Sequence, residues 1–192
     1  MKLIAINRKA GEPIKSVHAI ELYPDSAPVL SPKPVFLPDW GTDTGFKAVI
    51  CPSYRVSRLG KAISPKFAAR YYDEVALSAR IFPANSPVVP KIARPDIVKA
   101  WDGSVVIGKW QAAAPGDPFV IAPEADPTLR IGVTPEAIDI DNMIAAVSEI
   151  MTRKMGDIIL PCYIEPPLTL AINDNIAYRL NNIENSLIIK IK

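Results

Sequence analysis

Histidine and cysteine are nearly absent: the 192 residues hold one histidine, His18, and two cysteines, Cys51 and Cys162. Two cysteines make no disulfide framework. Without a nearby histidine they are too few ligands for zinc, so we read them as buried, inert thiols, with a soft-metal or redox pair as the other reading. No excess of one charge exists either, since 22 Lys plus Arg face 20 Asp plus Glu and the net charge is +2. The basic residues are scattered, with no run longer than Arg153-Lys154, which excludes a nucleic-acid footprint. No apolar stretch approaches the roughly 18 residues of a membrane span. The stretch Met1 to Arg8 turns polar too early for a signal peptide. We find no internal repeat and no Gly- or Ser-rich linker. The expectation is one domain over residues 1–192, cytoplasmic, binding neither nucleic acid nor membrane.

Proline, by contrast, is abundant: 20 residues, double the average usage of about 5%. Each proline fixes φ and removes a donor, which excludes a helical bundle or coiled coil. With 49% hydrophobic and 22% charged residues, the chain is not a disordered Pro-rich one either. A β-rich body with one or two short helices is expected. A long proline-free window runs from Glu136 to Leu160. There Ile140, Ile144, Val147 and Met151 recur at helical spacing, with Asp141 as the N-cap. Gly156-Asp157 ends that helix and Ile158-Ile159-Leu160 reads as a buried strand. A second helix is predicted after Ser64-Pro65, carrying Phe67, Ala68 and Tyr71 inward and ending near Tyr72. Val75 to Phe82 reads as a strand. Further strands are predicted at Leu3–Ile6, Ala48–Cys51, Ser104–Ile107, Phe119–Ala122, Leu129–Val133, Ile176–Leu180 and Leu187–Ile191. Ser31 to Trp40 reads as an irregular crossing and Ala84 to Pro95 as a surface loop.

Several segments, in order, resemble the short, single-domain bacterial members of the fumarylacetoacetate hydrolase family. They are the first strand followed by His18-Ala19-Ile20-Glu21, then Pro34-Val35-Phe36-Leu37, then Ser57-Arg58-Leu59-Gly60-Lys61-Ala62-Ile63 with Ala68 and Tyr71. Lys99-Ala100-Trp101-Asp102-Gly103-Ser104 follows. Thr128 to Val133, Asn142-Met143-Ile144, and Thr152 with Gly156-Asp157-Ile158-Ile159 make up the back half. The resemblance implies a mainly β fold with a few short helices (α+β), a mixed β-sandwich roll usually assembled as a homodimer. It also implies Mg²⁺ or Mn²⁺ held by a Glu-x-Glu pair and a downstream Asp, in enzymes that cleave or rearrange small keto acids such as acylpyruvates and oxaloacetate.

The sequence departs from that pattern where the metal would bind. Counting back from Ser57-Arg58-Leu59-Gly60, the Glu-x-Glu pair falls on Val49-Ile50-Cys51, and the downstream Asp falls near Arg80. No Asp or Glu occurs from Lys47 to Tyr72 or from Val75 to Pro95, so the oxygen ligands a hard dication needs are missing. The Gly-rich stretch expected after Ile159 is replaced by Leu160-Pro161-Cys162-Tyr163-Ile164-Glu165-Pro166-Pro167, whose prolines and bulky side chains oppose close backbone approach to a ligand. No metal cofactor is therefore expected.

Four side chains remain as candidates. In the family, the positions of His18 and Glu21 form a pair that activates water from a lid, the glutamate orienting the imidazole; the other reading is a surface helix turn with an incidental histidine. Lys99 matches a lysine that faces substrate near the metal, or else is an ordinary strand-edge lysine. Arg80 would place a guanidinium where a carboxylate once held a cation, and with Lys99 it could bind a carboxylate ligand; its other reading is a solvent-exposed arginine. Asp73-Glu74, adjacent on the chain, cannot act side by side and read as a helix-end cap. The expected function is a degenerate, non-catalytic family protein, either structural or binding a small carboxylate. The alternative is an enzyme acting on small keto acids through Lys99 with His18 and Glu21, and a third reading is a subunit paired with an intact, metal-binding homologue.

Overall fold

The computed structural model describes residues 1–12, 20–40, 44–85, 100–113, 116, 118–164 and 166–192. His18, Lys99 and most of the expected loop from Ala84 to Pro95 lie outside the described residues. The chain opens with β1 (Leu3–Ile6), β2 (Ile20–Tyr23), β3 (Pro28–Leu30) and β4 (Pro34–Val35). Two long strands follow, β5 (Phe46–Val56) and β6 (Tyr72–Pro83), separated by the single-turn helix α1 (Pro65–Ala68). Next come β7 (Val105–Ile107), β8 (Gln111–Ala112), β9 (Phe119–Pro123), β10 (Ile131–Val133), and the helices α2 (Pro135–Ile138) and α3 (Ile140–Ile150). The last elements are β11 (Ile158–Leu160), β12 (Leu168–Leu170), β13 (Asn175–Leu180) and β14 (Ile183–Ile191). The protein is mainly β with a few short helices, as expected.

Two sheets result. The larger runs β2-β1-β11-β5-β6-β7-β3, with β12 also on β5 and β8 also on β6; the smaller runs β10-β9-β13-β14-β4. The period of two along β5 and β6 decides what each face touches. Phe46, Ala48 and Ile50 of β5, with Leu77, Ala79 and Ile81 of β6, join Tyr178, Leu180, Leu187 and Ile189 of the second sheet in the main core. The alternate residues Val49, Cys51 and Ala76 face the other way, into a second core with Leu3, Ala5, Tyr23, Val105, Ile158 and Leu160. A third cluster packs Ile4 and Ile6 of β1 on Met143 and Val147 of α3, with Met151 against it; of the helical positions read from the sequence, Ile140 and Ile144 turn instead to the main core.

Pro52 sits inside β5, where a proline would normally interrupt the ladder. Ile50 O accepts from Ile164 N at 2.8 Å, so the polar groups of Ile50 point away from β6. Those of Pro52, two residues on, point the same way. The missing N–H thus falls between β11, which pairs with Arg55 and Tyr54, and β12, which pairs from Ala48 to Phe46. No bond to β6 is lost.

Several expectations are corrected. α1 is one turn only: Ala68 is buried, but Phe67 is exposed and Tyr72 already opens β6. Tyr72 is drawn into the strand by its pairing with Val56, so β6 begins before Val75. Asp73 and Glu74 therefore lie in a strand and do not cap a helix; Glu74 sits opposite Arg55 and forms a 2.5 Å ion pair with it. Asp141 is not the N-cap of α3. That place belongs to Asp139, left-handed at φ 58°, which closes α2 and opens α3 in one residue. Glu21 lies on a strand, not a helix turn, because residues Ile20 to Tyr23 pair antiparallel with β1. Ser31 to Trp40 contains one short strand, β4, parallel to the end of β14.

Asp157, singled out as part of a helix stop, ties β1 to the turn before β11. Its carboxylate accepts from Lys2 N at 2.8 Å and Lys154 N at 2.9 Å, and Lys2 Nζ lies 3.0 Å away. Burial pushes its carboxyl upward, but the bonds from Lys154 and Lys2 outweigh burial and hold it below the ordinary value. A depressed folded-state value stabilises the fold above the unfolded carboxylate range and is lost as pH falls through the folded one. Asp157→Asn is expected to cost about 2 kcal/mol at neutral pH. The difference in urea midpoint between the variant and the wild type should shrink as the pH falls below about 4.

Candidate functional site

Val49 faces Arg80 across the β5–β6 ladder, and Cys51 faces Ser78. The three positions that the family resemblance assigns to metal ligands therefore share one face of the larger sheet, turned away from the second sheet. Arg80 is 5% exposed, contrary to its reading as a solvent-exposed arginine. Its Nη1 donates to Glu21 Oε2 at 2.9 Å and its Nη2 to Asn7 Oδ1 at 3.4 Å, while Nε has no hydrogen-bond partner. Tyr23 OH donates to the same Glu21 Oε2 at 3.1 Å.

The Arg80–Glu21 contact also reports the shape of the sheet. β2 and β6 are four strand positions apart, about 19 Å in a flat sheet, farther than an arginine and a glutamate can reach together. The larger sheet therefore curls around its second core and brings its edge strand over the middle of β5 and β6.

The curl forms a half-open cavity of about 160 Å³. Asn7, Glu21, Tyr23 and Arg80 provide its polar wall, and Val49, Phe82, Tyr163 and Pro167 its apolar wall. Tyr163 and Pro167 belong to the stretch that the resemblance sets against a Gly-rich one, and their side chains line the cavity. Burial pushes the Tyr23 phenol up; Arg80 opposes the shift and Glu21 adds to it. Burial likewise raises the Cys51 thiol, against a smaller opposing pull from Arg80, and pushes Cys162 up to about 12, mainly through desolvation. Both cysteines are free and buried, and both remain protonated at neutral pH. Burial opposes the charge on Arg80, but the Glu21 carboxylate at 2.9 Å supports it. The guanidinium is a permanent cation.

These residues do not fit a hard dication. Val49 has no donor, Cys51 is a protonated soft ligand, and Arg80 is itself positive. No group of three His, Cys, Asp or Glu side chains able to hold a metal occurs among the described residues. Of the residues singled out in the sequence, the structure joins Glu21 with Arg80, and places Val49 in the cavity wall and Cys51 beside Arg80. His18 and Lys99 lie outside the described residues, although Ala100, next to Lys99, packs on the same core as Val49 and Cys51. Asn7, Tyr23, Phe82 and Tyr163 were not singled out. They carry no motif, and only the curl of the sheet brings them to Arg80.

No protein-family model and no curated protein sequence matches the chain significantly. Solved structures do. Maleylpyruvate hydrolase from Sphingobium sp. SYK-6 superposes with a TM-score of 0.78 at 18% identity, over 99% of this chain and 70% of that one; it has also been solved with manganese(II) and pyruvate. The 5-carboxymethyl-2-hydroxymuconate delta-isomerase from Mycobacterium smegmatis superposes with a TM-score of 0.79 at 19% identity, over 99% of this chain and 76% of that one. A protein assigned to the fumarylacetoacetate hydrolase family from Yersinia pestis CO92 superposes with a TM-score of 0.77 at 18% identity, over 100% of this chain and 93% of that one. The extent of these superpositions leads to one conclusion: the chain has the fumarylacetoacetate hydrolase fold.

Proposed function

We propose that the protein is a non-catalytic member of this fold that binds a small carboxylate, of the pyruvate type, against Arg80. The observation that carries this reading is a buried guanidinium lining a half-open cavity at the place where the resemblance puts the metal. Of its five N–H groups, one goes to Glu21 and one to Asn7, so donors remain for a ligand. The cavity, about 160 Å³, is smaller than the 300–1,000 Å³ typical of drug-sized ligands and suits a molecule of a few heavy atoms. A cation there has little to hold it. The Arg80–Glu21 pair is neutral overall, and a guanidinium about 4 Å from a dication repels it by about 8 kcal/mol at an effective dielectric constant of about 20. Pyruvate accompanies manganese in the Sphingobium hydrolase; here the guanidinium takes over the attraction of the carboxylate. On the family resemblance alone, we further propose a cytoplasmic homodimer.

The test is calorimetric titration of the full chain with pyruvate and, separately, with MnCl₂, followed by assays of acylpyruvate hydrolysis and oxaloacetate decarboxylation. Arg80→Met is expected to weaken pyruvate binding at least tenfold, about 1.4 kcal/mol, and MnCl₂ is expected to give no binding heat. Micromolar manganese affinity, or turnover that disappears in Lys99→Ala, would overturn the reading in favour of an enzyme acting on small keto acids through Lys99 with His18 and Glu21.

A further inference from the structure

We propose that Glu21 is a built-in occupant of the Arg80 site: its carboxylate holds the guanidinium until a free small carboxylate displaces it. This rests on the carboxylate-binding reading above and assigns its regulation. Glu21 comes from β2, an edge strand of four residues, and reaches across the curled sheet to a residue 59 positions away in sequence. Its side chain is 24% exposed while that of Arg80 is 6% exposed. The two partners are therefore unequal. The arginine is fixed in the interior, whereas the glutamate stands at the mouth with water on one side, and turning outward would restore its hydration.

The chemistry of the contact is that of a ligand. A single carboxylate oxygen accepts from Nη1 of Arg80 and from the Tyr23 hydroxyl, at 2.9 and 3.1 Å. A free carboxylate entering the cavity would find the same two donors, with the remaining terminal N–H groups of Arg80 as further ones. Both anions cannot sit there together. Among the described residues the site holds one permanent positive charge, Arg80, and a second carboxylate beside Glu21 would meet a like charge within a low-dielectric wall. Binding is therefore an exchange. A tethered carboxylate competes with an effective concentration in about the millimolar range, so only a ligand that binds Arg80 better than Glu21 does will displace it. The same contact keeps the buried guanidinium paired when no ligand is present, a state that would otherwise be costly.

The experiment compares wild type, Glu21→Gln and Glu21→Ala as full chains, by calorimetric titration with pyruvate and with acetate and by thermal denaturation with each anion. Glu21→Gln keeps the shape of the side chain and removes the competing charge; it is expected to bind pyruvate at least tenfold more tightly than the wild type. Glu21→Ala leaves a gap of about the size of acetate, and acetate is expected to raise its Tm by about 3 °C while moving the wild type by less than about 1 °C. If the wild type binds pyruvate and both variants bind it equally or more weakly, Glu21 is no competitor and the inference is overturned while the carboxylate-binding reading stands. If none of the three binds either anion, both are overturned.

Discussion

Gly108→Ala is expected to lower stability by about 3 kcal/mol, at the upper end of what overpacking costs. Gly108 follows β7 at the point where the two sheets touch. Its N–H donates to Leu77 O of β6 at 2.8 Å, and the next residue, Lys109, donates to Ser186 O of β14 at 2.7 Å. A Cβ at this position would lie 2.8 Å from Leu77 O and closer still to Ser186 O. Both obstacles are backbone atoms in paired strands, so no side-chain rotation relieves them. Ser186 is also fixed through its hydroxyl, which donates to Ile183 O and accepts from Leu180 N. The sheets would have to separate, and the main core between them would loosen. Urea denaturation should show a midpoint about 1.5 M lower with little change in slope. Gly132→Ala is the control, because no atom lies within 4 Å of its added Cβ; equal midpoints for the two variants would show that the junction yields freely.

Arg8→Ala is expected to cost about 4 kcal/mol, since it removes donors from several buried carbonyls and leaves a void. Arg8 is 6% exposed. Its Nε donates to Pro161 O at 3.2 Å, its Nη1 to Glu12 O, and its Nη2 to Ala137 O at 3.0 Å and to Ile138 O. Ala137 and Ile138 end α2, where helix carbonyls have no partner within the helix. One guanidinium therefore clamps the segment after β1, the chain after β11 and the end of a helix. Thermal denaturation should show a Tm about 10 °C lower. Arg8→Lys should restore less than half of the loss, because an ammonium cannot reach carbonyls arranged around a planar fork. Full restoration by lysine would show that charge and volume, not the fork, hold the three segments.

Much of this was legible in the residues because it depends on neighbours along the chain. Ile140, Ile144 and Val147 face one side at helical spacing and are buried on that side. The alternation from Phe46 to Val56 and through β6 separates Ala48, Ile50, Leu77 and Ile81 from Val49, Cys51 and Arg80, so that the shared face of Val49, Cys51 and Arg80 follows from counting. The short strands β3, β8 and β12 were not legible, since two or three residues carry no period. Nor was the end of α1, because the pairing of Tyr72 with Val56 overrides local helical preference. Asp139 escaped notice as the cap because its left-handed backbone comes from joining two helices in one residue.

The sequence by itself determined a mainly β chain, the absence of Asp and Glu between Lys47 and Tyr72, and a cation, Arg80, in the strand that follows. Only the tertiary structure decided what that cation meets. Glu21, Tyr23 and Asn7 come to Arg80 because a twisted sheet curls about its own core, and that curl is a sum over many strand pairings that no local pattern encodes.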